Sequence, residues 1–240
     1  MSTEPASPSP PGGGFDQYAA GYDAALQQGL AVSGQRKEYF ARGRLLWLKE
    51  RLRELAFQAG VVLDFGCGIG TAAPYIHELL SPRELVGVDI SPGALEMARR
   101  QHGSANTRFY CLDQYAPAGE FDLAFCNGVF HHIPLKQRDN AAGYVWRGLR
   151  PGGLFAFWEN NPWNPGTRYV MSRVPFDRDA LTLAPPEARR LLRRAGFAVL
   201  RTDFLFIFPR LLRWFRGLEP ALCRWPLGAQ YLVLCRRPAA

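Results

Sequence analysis

A short apolar run, Val61-Val62-Leu63, ends on an acid, Asp64, and passes through Phe65-Gly66-Cys67-Gly68-Ile69-Gly70 into an apolar-periodic stretch from Thr71 to Leu80. No other part of the chain restricts the fold as tightly. Glycine is needed where the backbone takes positive φ or must approach a ligand closely. In open α/β sheets the ligand crevice lies off the carboxyl ends of the strands. The stretch therefore predicts a buried strand, a binding turn and a helix. Two details narrow the ligand. Asp64 stands two residues before the first glycine, where a carboxylate suits an ammonium and repels a pyrophosphate. The dinucleotide fingerprint G-x-G-x-x-G requires glycine at its sixth position, which here is Thr71. A cationic, phosphate-free cofactor is expected, and an NAD-type oxidoreductase is the disfavoured alternative.

Strand and helix signals alternate after this turn. Glu84 to Ile90 reads as a second strand, and Ser91-Pro92 as an N-cap with proline at the first helical position, starting a helix over Gly93 to Gln101. Arg108 to Leu112 and Phe121 to Cys126 read as strands three and four. A helix over Asp139 to Leu149 precedes the turn Pro151-Gly152-Gly153, and Leu154 to Trp158 is strand five. Such alternation argues for a parallel sheet covered by helices on both faces. Upstream, Leu45, Leu46, Leu48, Leu52 and Leu55 recur at helical spacing within a helical stretch from Phe15 to Ala59. Downstream, a helix over Pro185 to Ala195, a strand over Phe197 to Phe208, a helix over Leu211 to Cys223 and a strand over Gln230 to Cys235 are expected. The organisation expected is a disordered Ser/Pro/Gly tail over 1–14, an N-terminal helical cover over 15–60 and a catalytic domain over 61–240.

The motifs, taken in order, resemble class I S-adenosylmethionine-dependent methyltransferases over roughly residues 40–158, most nearly those of the quinone-biosynthesis type. Val61 to Gly70 resembles motif I, and Val86-Gly87-Val88-Asp89-Ile90-Ser91 the second motif. Phe121 to Asn127 resembles motif IV, and Leu149-Arg150-Pro151-Gly152-Gly153 the turn before strand five. The resemblance implies a Rossmann-like α/β fold with a seven-stranded, mostly parallel sheet whose last strand is antiparallel. It implies S-adenosylmethionine as cofactor, with Asp64, Gly66, Cys67 and Gly68 around its methionine end. Asp89 would bind the ribose hydroxyls, Ile90 would pack on the adenine, and Asp113, with Gln114 beside it, would meet the adenine amino group. Asn127 would lie beside the methionine moiety. Arg44 on the N-terminal helix is a candidate for the cofactor carboxylate. His131 and His132 follow motif IV, where an imidazole titrating near neutrality could take a proton from the acceptor. A non-catalytic protein that keeps the fold and binds the cofactor or a partner is the alternative from a different class. No metal is expected.

The acceptor is less constrained. The resemblance places acceptor binding in the N-terminal helices and in insertions at 159–184 and 209–228. Tyr18, Tyr22, Tyr39, Trp158, Trp163, Tyr169 and Trp214 concentrate in such segments, and aromatics without a helix or strand period often line pockets. For Tyr39 and Trp47 ordinary helix packing is preferred. The net charge of +8 is uneven: residues 165–240 hold 14 Arg against 5 acids. Arg210, Arg213 and Arg216 interleave with Leu211, Leu212, Trp214 and Phe215. This stretch reads as a core-facing helix with a solvated basic edge; peripheral contact with a membrane surface is the alternative. Asn127-Gly128-Val129-Phe130 lacks the Pro-Pro-aromatic motif of base-amino methyltransferases, so nucleic acid is not the expected partner. A small-molecule or lipid-like acceptor, methylated at oxygen or carbon, is expected instead. Five widely spaced cysteines without a CxxC pair, and no basic segment leading into an apolar run at the N-terminus, point to the cytoplasm.

Overall fold

In the computed structural model, residues 34–174 and 180–239 are described. The tail over 1–14, the start of the N-terminal helical stretch with Tyr18 and Tyr22, and Phe176 lie outside them. The elements run α1 (Lys37–Glu54), β1 (Val61–Phe65), α2 (Ala73–Leu80), β2 (Glu84–Asp89), α3 (Pro92–His102), β3 (Thr107–Cys111), β4 (Phe121–Asn127), α4 (Arg138–Gly148), β5 (Leu149–Asn160), α5 (Pro165–Arg173), α6 (Pro185–Arg194), β6 (Ala198–Leu205), α7 (Glu219–Leu222) and β7 (Gln230–Arg236). One sheet of seven strands has the order β3-β2-β1-β4-β5-β7-β6. Strands β1 to β5 pair in parallel, and β7 is antiparallel to both β5 and β6. This is the mostly parallel Rossmann-like sheet that the motifs imply.

Period-two alternation divides the core between the two faces. Leu63 and Phe65 of β1 pack with Ala142 and Val145 of α4 and with Leu191 and Leu192 of α6. Val62 packs on the other face with Leu45 and Leu48 of α1, Ile76 of α2 and Leu95 of α3. Asp64 shares the parity of Val62, so its carboxylate projects towards the α1 face.

Helix α5 was not expected. It starts where Asn164 accepts a hydrogen bond from the Thr167 amide at 3.0 Å, with Pro165 at the first helical position. The turn expected over Leu149 to Gly153 is instead an irregular entry into β5, with a register shift against β4. A larger correction concerns the crossover between β6 and β7. Residues Arg210–Leu218 form a 3-10 helix without a single buried residue, not a core-facing helix. Trp158, expected to line a pocket, is fully buried in the core on the α1 face, whereas Trp163, Tyr169 and Trp214 are exposed. Among the described residues no helix is long and apolar enough to cross a membrane.

Helix α1 is fixed to the far edge of the sheet by a buried acid. Asp203 on β6 is wholly inaccessible; it accepts a hydrogen bond from the Trp47 indole at 2.9 Å and pairs with Arg201 at 2.8 Å and Arg224 at 3.2 Å. Trp47 is thus a packing residue, as preferred. Removing one member of such a set strands the others, at a cost of roughly 3 kcal/mol. Asp203→Ala is expected to lower the unfolding free energy by about that amount in urea titrations. An unshifted midpoint would show that α1 is held by apolar packing alone.

Candidate functional site: the carboxyl edge of β1, β2, β4 and β5

The glycine turn is shaped by two contacts. The Gly66 and Cys67 amides both donate to the Val88 carbonyl, at 2.8 and 3.0 Å, folding the turn over the end of β2. Gly66 has φ +72° and a Cβ there would stand 2.3 Å from Val129, so no side chain fits. Gly68, at φ +52°, has nothing within 4 Å of the place a Cβ would take. The turn therefore offers open backbone at Gly68 while Gly66 locks it onto the loop after β4. Cys67 directs its thiol inward, since a Cβ on Gly87 would lie 2.9 Å from its sulfur. The thiol is therefore turned away from the open side of the turn.

Asp64 is the most informative residue of the site. It is buried, and among the described residues its Oδ2 has no hydrogen-bond partner. Burial, followed by the neighbouring negative charge of Asp89, pushes its carboxyl up to about 7, while the Arg44 guanidinium acts in the opposite direction. A buried carboxylate without a donor is costly, and a cationic ligand group is what relieves it. The indole nitrogen of Trp158, on the same face of the sheet, is a second buried polar atom without a partner. Arg44 is brought to this face by α1 and donates to Gln230 on β7 at 2.9 Å.

Asp89 ends β2. Its Oδ2 accepts from the Gly68 amide at 2.8 Å and its Oδ1 from the Ser91 amide at 2.9 Å, so it ties the glycine turn to the start of α3. A carboxylate can accept more than two hydrogen bonds, so these do not disqualify it from meeting hydroxyls. Ile90, next in sequence, is 46% exposed, an apolar side chain beside a polar turn. Asp113 and Gln114 lie exposed after β3. Asn127 is half-buried at the end of β4.

His131 and His132 sit in a single 3-10 turn, Phe130–His132, with ring centroids 4.0 Å apart. His131 is buried and its Nδ1 lies 2.6 Å from Oε2 of Glu159. The other carboxylate oxygen of Glu159 accepts from the Phe130 amide at 2.8 Å. A carboxylate facing Nδ1 makes that nitrogen the protonated one and leaves Nε2 as the basic nitrogen. Glu159 did not stand out in the sequence, although one signal was there. Like Asp64 and Asp89, it is an acid closing an apolar strand at its carboxyl end.

The orphaned acid, the open glycine backbone and the exposed isoleucine suit a ligand that combines an ammonium with an apolar ring, and comparison with known proteins agrees. Residues 62–153 match the profile of a methyltransferase domain. An uncharacterised methyltransferase of Synechocystis is 34% identical over 158 residues, covering 62% of this chain and 73% of that protein. A trans-aconitate 2-methyltransferase of Azoarcus is 31% identical over 117 residues, covering 49% of this chain and 46% of that enzyme. Geranyl diphosphate C-methyltransferase from Streptomyces coelicolor, solved with S-adenosyl-L-homocysteine, superposes with a TM-score of 0.57 at 20% identity, over 79% of this chain and 75% of that one. The match spans only 24% of another curated relative, an uncharacterised Synechococcus protein, and under half of the trans-aconitate enzyme. The chain belongs to the class I S-adenosylmethionine-dependent methyltransferases and is an enzyme that uses S-adenosylmethionine as its cofactor.

Proposed function

We propose that the enzyme methylates a small-molecule or lipid-like acceptor at oxygen or carbon, with His131 as the general base and Glu159 as the residue that positions it. The buried His131–Glu159 pair beside the strand ends carries this reading. Relatives that act on small molecules support it, among them the trans-aconitate enzyme and the geranyl diphosphate enzyme. When bound, the cofactor supplies a methyl group already activated on a sulfonium, so orientation of the acceptor carries much of the rate. The chain's own residues then have separable tasks. Asp64 receives the ammonium, Arg44 the carboxylate and Asp89 the ribose hydroxyls. Ile90 covers one face of the adenine, and Asp113 and Gln114 take its edge. The backbone of Gly66, Cys67 and Gly68 passes beneath the methionine part, and Asn127 flanks it. His131 accepts the acceptor's proton at Nε2, while Glu159 holds Nδ1–H and stabilises the imidazolium; His132, its ring tilted against that of His131, is the second candidate. The insertions at 159–184 and 209–228 and the cover over 15–60 would bound the acceptor side of the catalytic domain over 61–240. The cytoplasm is the compartment that suits five free cysteines.

Asp64 gives the reading a pH signature. Its carboxyl, pushed up to about 7 by burial and Asp89, must ionise to receive an ammonium. An α-amino group loses its own proton near 7.7–8.0. Affinity for S-adenosylhomocysteine should therefore peak at about pH 7 to 8 and fall on the acid side by nearly tenfold per pH unit. The sign for the ligand-free fold is opposite. The unfolded chain ionises this group first, so stability declines as pH rises from the ordinary carboxylate range towards 7. Titration calorimetry across pH 5.5–8.5 checks the first point, and Asp64→Asn should flatten the acid limb. A wild-type affinity constant across that limb would contradict the role of Asp64.

Asp89→Ala should weaken S-adenosylhomocysteine binding by roughly 1.5–3 kcal/mol for each charged hydrogen bond lost. An unchanged dissociation constant would remove Asp89 from the site.

With any acceptor that supports turnover, His131→Ala and Glu159→Gln should each lower kcat by about 100-fold, the lower end of general-base effects. Affinity for S-adenosylhomocysteine should stay unchanged in both. Retained kcat in either variant would count against proton transfer through this pair.

A further inference from the structure

We infer that the crossover between β6 and β7, residues 206–229, is an interfacial anchor that seats the carboxyl edge of the sheet on an anionic lipid surface. The segment Arg210–Leu218 is two short helical turns joined by a kink at Leu212 (φ −103°, ψ 25°), in which Arg210 and Arg213 alternate with Leu211, Leu212, Trp214, Phe215 and Leu218. Among the described residues these apolar side chains stand open: Leu211 is 80% exposed and Trp214 76%. Trp225 and Leu227, further along the same crossover, are also exposed. Contiguous exposed bulky apolar side chains flanked by cations mark a surface made for a partner or a membrane interface.

Charge selects the occupant. Of the crossover's arginines, Arg224 pairs with Asp203 and Arg216 donates to the Phe208 carbonyl at 3.2 Å, while Arg210 and Arg213 stay exposed, against one acid of the segment, Glu219. That acid is turned inward, accepting from the Phe206 and Phe208 amides at 3.3 and 3.2 Å. The outward face is thus apolar and cationic, with aromatic residues that favour the headgroup boundary. An acidic protein would satisfy the arginines but leave Leu211 and Trp214 against water unless it also supplied an apolar groove. An anionic bilayer satisfies both.

Topology gives the anchor its purpose, which rests on the proposal of a lipid-like acceptor. β7 is antiparallel to β5, so the crossover returns at the carboxyl edge, where β5 ends at Asn160 opposite Gln230. The segment after β5 grips it directly. Asn161 donates to the carbonyls of Pro226 at 3.1 Å and Gly228 at 2.8 Å, Asn164 to Leu227 at 2.7 Å, and Thr167 to Ala229 at 2.7 Å. The anchor is therefore rigidly joined to the strand that carries Glu159. A molecule held in the bilayer would reach the His131 side of the sheet without crossing water.

The test is co-sedimentation of the full chain with vesicles of phosphatidylcholine alone and of phosphatidylcholine containing phosphatidylglycerol. Binding to the mixed vesicles, weakened by salt, is expected. Arg210→Gln/Arg213→Gln should reduce that partitioning roughly 30-fold, and Leu211→Ser/Trp214→Ser should abolish it. Both variants should bind S-adenosylhomocysteine as the wild type does, which shows that they fold and separates a failure of the anchor from a failure of the methyltransferase site. Failure to bind either vesicle, equal binding to both, or undiminished binding by the Leu211/Trp214 variant would overturn the inference. So would a wild-type dimer in solution that this variant makes monomeric, because the face would then belong to a second copy.

Discussion

Asp64 is a carboxyl group at the buried end of a central strand, with one oxygen left without a donor. A folded chain accepts such a cost where a ligand removes it, and the surrounding structure is arranged around that need. The glycine turn follows Asp64 immediately and keeps backbone away from the space beyond Gly68. Helix α1 brings Arg44 to the same face, close enough to pull the carboxyl back towards ionisation. Asp89 braces the turn through the Gly68 amide and adds a second negative charge, which makes a cation still more welcome. On the proposed reading, this arrangement favours a positively charged amino group before any ligand arrives.

Three strands of the sheet follow one rule to different ends. β1, β2 and β5 each finish, or nearly finish, on an acid: Asp64, Asp89 and Glu159. Asp64 is unsatisfied, Asp89 is satisfied by backbone amides, and Glu159 is satisfied by an amide and an imidazole. The degree of satisfaction sorts their roles. An unpartnered acid is poised for a ligand. A braced one shapes a turn. One bonded to a histidine fixes which ring nitrogen can act.

Local features of the site were legible in the sequence, and features that depend on distant strands were not. Asp64 and the glycines are contiguous, so strand, turn and ligand preference could be read from one stretch. Asp89 followed from its place at the end of an apolar run. The pairing of His131 with Glu159 joins residues 28 positions apart through the β4–β5 register, which periodicity does not encode. Arg210–Leu218 misled for a different reason. Its apolar content matches that of a core helix, and only the placement of the crossover outside the sheet shows that none of its residues is buried. Trp158 misled in the opposite sense, because an aromatic next to a polar run belonged to a buried strand. Helix α5 could have been read from Asn164-Pro165, a cap and first-turn pair overshadowed by the loop-like composition around it.

The central claim is that the carboxyl edge of β1 and β2 is built for S-adenosylmethionine and not for a dinucleotide. Isothermal titration of the purified chain with S-adenosylhomocysteine and with NAD, side by side at pH 7.5, tests it most directly. The account predicts micromolar binding of the sulfur compound, lost on Asp64→Ala, and no heat from NAD. Binding of NAD, or S-adenosylhomocysteine affinity indifferent to the loss of Asp64, would contradict it.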